Sequence, residues 1–236
     1  TIQPLTTAPA ANNVGDSEVS VDDQLAAYAA AGITGVSADN LLAVNAQLRL
    51  ETTSTNKDSV SDIQAIVTKA NTALAKIENH QAGDAPLEIA DYESVGVLSV
   101  SEVNRLTVNA QIVRALDEEA DSVLDIEARV TSANLALTKV VSDIAPLTST
   151  ADPDAATQIE AYNAAGIIEV TEENLLAVNA QIRKQLEADS SALDNLNSVA
   201  ELQSKVSAAN TAIAYLITTI QPLTTAPAAN NVGDSE

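Results

Sequence analysis

The polar side chains best placed to do chemistry recur along the chain. Tyr28, Tyr92 and Tyr162 each stand four residues before a glycine, Gly32, Gly96 and Gly166. Asn45, Asn109 and Asn179 fall on or beside the apolar face of one predicted helix, and Asn71, Asn134 and Asn210 recur in another. A recurrent amide suits either a ligand or a structural bond to a loop carbonyl or a facing asparagine, which fixes bundle register as a core asparagine does in coiled coils. Repetition inside every copy favours the structural role. The tyrosines invite a parallel choice between an exposed adhesive anchor and a core ring whose hydroxyl reaches the surface. The shared position again favours the core.

Other chemistry has little to work with. Asp22-Asp23, Asp117-Glu118-Glu119 and Asp152-Pro153-Asp154 offer hard oxygen ligands for calcium, but none sits in an EF-hand type of loop, and helix capping accounts for them. No cofactor is therefore expected. The only histidine, His80, lies in a linker without a counterpart elsewhere, cysteine is absent, and no glycine-rich phosphate loop occurs. Without a nucleophile and base in an evident cleft, the chain does not read as an enzyme.

The elements that position these residues are set by repetition at two levels. Residues 1–18, TIQPLTTAPAANNVGDSE, return letter for letter as residues 219–236, an offset of 218. Inside that period the tyrosines lie 64 and 70 residues apart, and Asn40-Leu-Leu-Ala-Val-Asn-Ala-Gln47 recurs identically at Asn174 to Gln181 and in diverged form at Asn104 to Gln111. Repeats of this kind mean supersecondary units that are stacked or strung together. Identity at the long period beside divergence at the short one implies an old triplication followed by amplification of the triplet. The natural protein is expected to be much longer.

Within each copy the pattern predicts three helices. Asp22 or Asp23, and Asp84 and Asp152 beside Pro86 and Pro153, mark the start of the first helix, and the glycine ends it. Ser37, Ser101 or Thr171 then caps a second helix. That helix carries Leu41, Val44 and Leu48 in copy one and Leu175, Val178 and Ile182 in copy three, the spacing of one buried face. Arg49 and Arg183 suit its C-terminal dipole. The third and longest helix places Ile63, Ile66, Val67, Ala70, Leu74 and Ile77 at helical spacing, with counterparts over 124–141 and roughly 196–217.

The reading is all-α: three small three-helix bundles in tandem joined by short Pro-containing linkers. Its boundaries are a linker at 1–18, modules at 19–80, 81–147 and 148–218, and a linker at 219–236. Proline rules out a continuous helix across the joints, since its ring and missing N–H break the ladder, which predicts beads on a semi-stiff string. With 33 acidic against 11 basic side chains, a formal charge of −22, the chain is unsuited to nucleic acid or an anionic membrane surface. No apolar run is long enough to insert in a bilayer. With no cysteine available for disulfides, stability must come from aliphatic packing.

The stretch Tyr28-Ala-Ala-Ala-Gly-Ile-Thr-Gly-Val-Ser-Ala-Asp-Asn-Leu-Leu-Ala-Val-Asn-Ala46 resembles the GA-like three-helix modules strung along giant surface proteins and adhesins of Gram-negative bacteria, and all three copies match in outline. The resemblance implies a secreted, extracellular array at the cell surface that extends an adhesive region or assembles into a filament. Its partners would be neighbouring repeats of the same chain and, in a fibre, other copies. The alternative, a host-protein module of the albumin-binding kind, requires apolar anchors outside the core stripe, where these second helices offer Ala, Gln and Asn.

Overall fold

The computed structural model describes residues 19–115, 122–151, 153–188 and 198–220. Among them the chain is all-α, with nine α-helices and no strand. The first copy forms α1 (Val21–Ala30), α2 (Leu41–Leu50) and α3 (Val60–Glu78). The second forms α4 (Ile89–Ser94), α5 (Arg105–Arg114) and α6 (Val123–Lys139), which runs on into a π-helical turn at Val140–Ile144. The third forms α7 (Ala155–Ala164), α8 (Leu175–Ala188) and α9 (Val199–Tyr215), also followed by a π-helical turn, Leu216–Ile220. Asp152, Asp117 to Glu119 and Leu196 lie outside the described residues.

The long third helices start on one device. Ser59, Ser122 and Ser198 each accept the backbone N–H three residues on, from Asp62, Asp125 and Glu201, whose carboxylates accept the serine hydroxyl in return. This serine-acid pairing satisfies an otherwise orphan N–H and places negative charge at the positive end of the helix dipole. α1 uses the same pair, Ser20 and Asp23. The cap of α1 is thus Ser20 and not Asp22 or Asp23, because the serine hydroxyl occupies the position from which the third N–H is reached.

The other starts also differ from expectation. α4 begins at Ile89, capped by Glu88 with Asp91, while Asp84 instead accepts from the backbone of Gln81. Pro86 and the buried Leu87 hold the intervening chain outside the helix. Asp154 caps α7 through the N–H of Thr157. The second helices start at Leu41, Arg105 and Leu175 rather than beside Ser37, Ser101 and Thr171. One turn precedes each regular helix: the carbonyls of Ser37, Ser101 and Thr171 accept the N–H of Leu41, Arg105 and Leu175, their own N–H groups donate to Asn40, Asn104 and Asn174, and Ser37 Oγ accepts the Asn40 N–H, the capping contact expected of it.

Contacts divide the chain into two compact units, Thr1–Leu137 with Ala164–Gly166, and Thr138–Asn163 with Ile167–Glu236. The units follow contacts rather than copies, since the division falls inside α6. In the first unit α2 packs along α3, and α4 packs on both. One hydrophobic core runs from Tyr28 through Leu48, Leu74 and Ile77 to Leu87, Tyr92 and Val95, and on to Val108, Ile126 and Ala133. This joint is therefore not a spacer between separate beads. Leu87 and Val95, which flank α4, carry the core across it, and Tyr92 of α4 is buried in the same core as residues of α2, α3 and α5. In the second unit α8 packs along α9, burying Leu175, Val178, Ile182, Leu202 and Val206. Val140, Val141 and Ile144 are buried in the same unit.

Candidate functional site: a repeated tyrosine-asparagine network and the face beside it

Each first helix ends in a tight reversal that fixes where its tyrosine points. Gly32, Gly96 and Gly166 have φ of 75°, 91° and 79°, the left-handed region that glycine enters without a Cβ clash. The next residue closes the turn with an N–H to the tyrosine carbonyl, Ile33 to Tyr28, Val97 to Tyr92 and Ile167 to Tyr162, at 3.0, 3.0 and 2.9 Å. The ring is thereby directed inward. Its hydroxyl donates to the Oδ1 of the asparagine seventeen residues on: Tyr28 to Asn45 at 2.9 Å, Tyr92 to Asn109 at 2.5 Å and Tyr162 to Asn179 at 2.6 Å.

The expected surface-reaching hydroxyl is thus corrected. It ends on a buried or half-buried amide, because the asparagine supplies the partner that water would otherwise provide. Burial pushes the Tyr28 phenol up to about 12. It pushes Tyr92 and Tyr162 up further, with the nearby Asp91 carboxylate adding to the rise at Tyr92 while Arg105 opposes it, and Arg183 opposing it at Tyr162. All three are neutral donors at physiological pH.

The amide nitrogen of each asparagine is used as well. Asn45 donates to Gln24 Oε1, Asn109 to the Leu87 carbonyl, and Asn179 to Gln158 Oε1. Arg105 also donates to the Leu87 carbonyl, and Arg183 to the carbonyls of Ala145 and Leu147. Arg183, read from sequence as a dipole partner, thus clamps the connector that leads into its own copy.

A second network lies at the other end of each second helix. Asn40, Asn104 and Asn174 accept the N–H of Ser37, Ser101 and Thr171, each at 2.8 Å. Their amide nitrogens donate to the carbonyls of Gly35, Ser99 and Glu169, and to Oδ1 of Asn71, Asn134 and Asn210 at 2.7, 3.0 and 2.7 Å. The helix-three asparagines therefore do face another asparagine. Asn40, Asn104 and Asn174 join the predicted asparagines as site residues, and their signal in the sequence is that each opens the octet that defines the repeat.

The outer side of the second helix forms a third recurrent feature within the first unit. Gln47 is buried and donates through Nε2 to the Ser94 carbonyl at 2.5 Å, at the end of α4. A Cβ built on Gly96 would stand 2.9 Å from Ala46 Cβ, so backbone and α2 meet in close contact. Lys76 and Asp91 close the margin at 2.6 Å. The carboxyl of Asp91 is partly desolvated, which works against ionisation, but bonds from Lys76 and the Glu88 N–H hold it below the ordinary range. Gln111 repeats the first contact with the Ala164 carbonyl at 2.5 Å, and Gly166 would place a Cβ 3.0 Å from Ala110 Cβ.

Among the described residues no group of three His, Asp or Glu side chains is placed to hold a metal, and no helix is long and apolar enough to cross a membrane. His80 Nδ1 lies 3.9 Å from Asp84 Oδ2. Compared with known proteins, the chain matches no family model, no curated protein and no solved structure.

Proposed function

We propose that this chain is one period of a tandem array of three-helix modules, working as a structural extender of a long secreted protein at the bacterial cell surface. The observation that carries the reading is the commitment of the recurrent polar residues to internal bonds. The tyrosine hydroxyl to asparagine bond and the asparagine pair between the second and third helices recur in each copy, and the eighteen-residue identity supports a 218-residue period for the set. A polar network that repeats in this manner specifies one packing and leaves no side chain of its own for a substrate, so no catalytic or cofactor role is assigned.

Host-protein capture would need the same exposed apolar anchor on every copy. Leu98 and Ile168 are exposed, but Thr34 stands at their position in the first copy. The extender reading predicts length. Small-angle scattering of chains holding one, two and four periods is expected to show the maximum dimension rising by a constant increment. A dimension that stays nearly constant as periods are added would reject it.

A further inference from the structure

The face that joins copies inside the chain is left open at both of its ends, and the two open halves are complementary. In the first copy the half made by the end of the first helix is uncovered: Ala27, Ala30 and Gly32 are exposed, and a Cβ on Gly32 would meet nothing within 4 Å. Their counterparts in the second copy, Asp91, Ser94 and Gly96, are at least partly covered. In the third copy the half made by the second helix is uncovered instead. Leu176 is 42 % exposed, Ala180 is exposed and Gln181 only half-buried, whereas Ala46 and Gln47 are buried.

The end of the third helix behaves the same way. Leu216, Ile217 and Ile220 are 55, 57 and 37 % exposed, although the residues at the same register, Val140, Val141 and Ile144, are buried. Tyr215, the one tyrosine outside the network, is 57 % exposed and occupies the register of Lys76. Ala27 occupies that of Asp91. The ion pair that closes the first internal joint thus has an apolar pair, Tyr215 and Ala27, at the corresponding positions of the third and first copies.

We infer that the third copy of one period docks head-to-tail on the first copy of the next, a second copy of this same sequence. Gln181 then donates to the carbonyl at Ala30, Ala180 seats against Gly32, and Tyr215 packs over Ala27. This inference rests on the array reading and adds that its periods are joined by a built interface rather than by a free linker. The interface continues the internal joints: the contact made by Gln47 and again by Gln111 has its donor in the third copy and its acceptor in the first. A heterologous contact of this type does not close on itself and so propagates along a line. The connector is long enough, since residues 221–236 and the two that follow exceed the ten residues between α3 and α4.

The test is hydrogen exchange, read by mass spectrometry, on a chain of two joined periods beside the single chain. Peptides over 174–183 and 213–220 of the first period, and 27–34 of the second, are expected to exchange about tenfold or more slowly in the joined chain, as docking raises the local opening free energy. Ala180→Glu in the first period is expected to return those rates to the single-chain values, while leaving the single chain's thermal midpoint unchanged because Ala180 is exposed there. Tyr215→Lys in the first period is expected to weaken protection, and adding Ala27→Asp in the second to restore it by recreating the Lys76–Asp91 pair. Equal rates in joined and single chains would overturn the docking. Scattering on the same joined chain keeps the two ideas apart: elongation without protection rejects docking and leaves the extender reading intact, whereas protection in a chain that does not elongate rejects the extender.

Discussion

The first two copies carry the same residues in different surroundings, and the difference separates what a module needs for itself from what it needs for its neighbour. Tyr28 and Tyr92 make the same bond to Asn45 and Asn109, so the tyrosine-asparagine network belongs to the module. Gly32 and Gly96 share a left-handed φ, but only Gly96 also lies against another helix. Within the single period, Gly32 serves a backbone angle. Gly96 is there for the angle and for the approach of Ala46.

Removing the ring is the largest way to probe that comparison. Tyr92→Ala is expected to destabilise the chain by about 3–5 kcal/mol, the range for deleting a buried aromatic side chain. Tyr28→Ala should fall at the lower end, because Tyr28 keeps 4 % of its surface exposed while Tyr92 is fully buried. Urea unfolding followed by circular dichroism measures both. A Tyr28→Ala loss larger than that of Tyr92→Ala would place the weight of the core in the first copy and break the comparison.

The glycine pair sharpens it. Gly32→Ala is expected to cost roughly 1–2 kcal/mol from the left-handed backbone alone. Gly96→Ala carries the same backbone cost and must also push Ala46 away, adding about 1–3 kcal/mol of overpacking. The excess is the signature of the joint. Ala46→Gly by itself carries about 1 kcal/mol for a glycine inside α2, so the pair is read as a cycle: in that background Gly96→Ala should keep its backbone cost and lose much of the excess, and an equal cost in both backgrounds would show that the close contact with Ala46 is not its origin.

These two pairs also show how far the sequence could be read. The apolar faces of the second and third helices were legible because Leu41, Val44 and Leu48, or Ile63 through Ile77, need only helical periodicity to be recognised, and all are buried. The glycine ends were legible because a left-handed residue after a helix has a local cause. The cap positions were less so: serine, aspartate and asparagine compete for the same N–H groups, and which one wins depends on the turn that Asn40 and its counterparts make with the asparagines of the third helix. The tyrosine-asparagine bond had a signal that went unused, a constant separation of seventeen residues in all three copies. Gln47 had none. A glutamine facing a neighbouring copy and one facing water look alike along the chain, and only the packing of α4 on α2 tells them apart.

The smallest effect is silent at neutral pH and appears only in alkali. A phenol whose folded pKa lies above its ordinary value of 10 favours the folded state while it stays neutral. That contribution is whole below pH 10 and is lost as pH rises through the folded value, so for Tyr28 the window runs from about 10 to about 12. Tyr92, more deeply buried and beside the charge of Asp91, is shifted further and should resist ionisation longer. Spectrophotometric titration of tyrosinate, with circular dichroism recorded in parallel, is expected to show Tyr28 ionising first among the three network tyrosines. Tyr28→Phe should remove that step and leave the later, unfolding-linked steps in place. If Tyr92→Phe removed the early step instead, the second copy would be the more open of the two, and the covered joint assigned to α4 would have to be withdrawn.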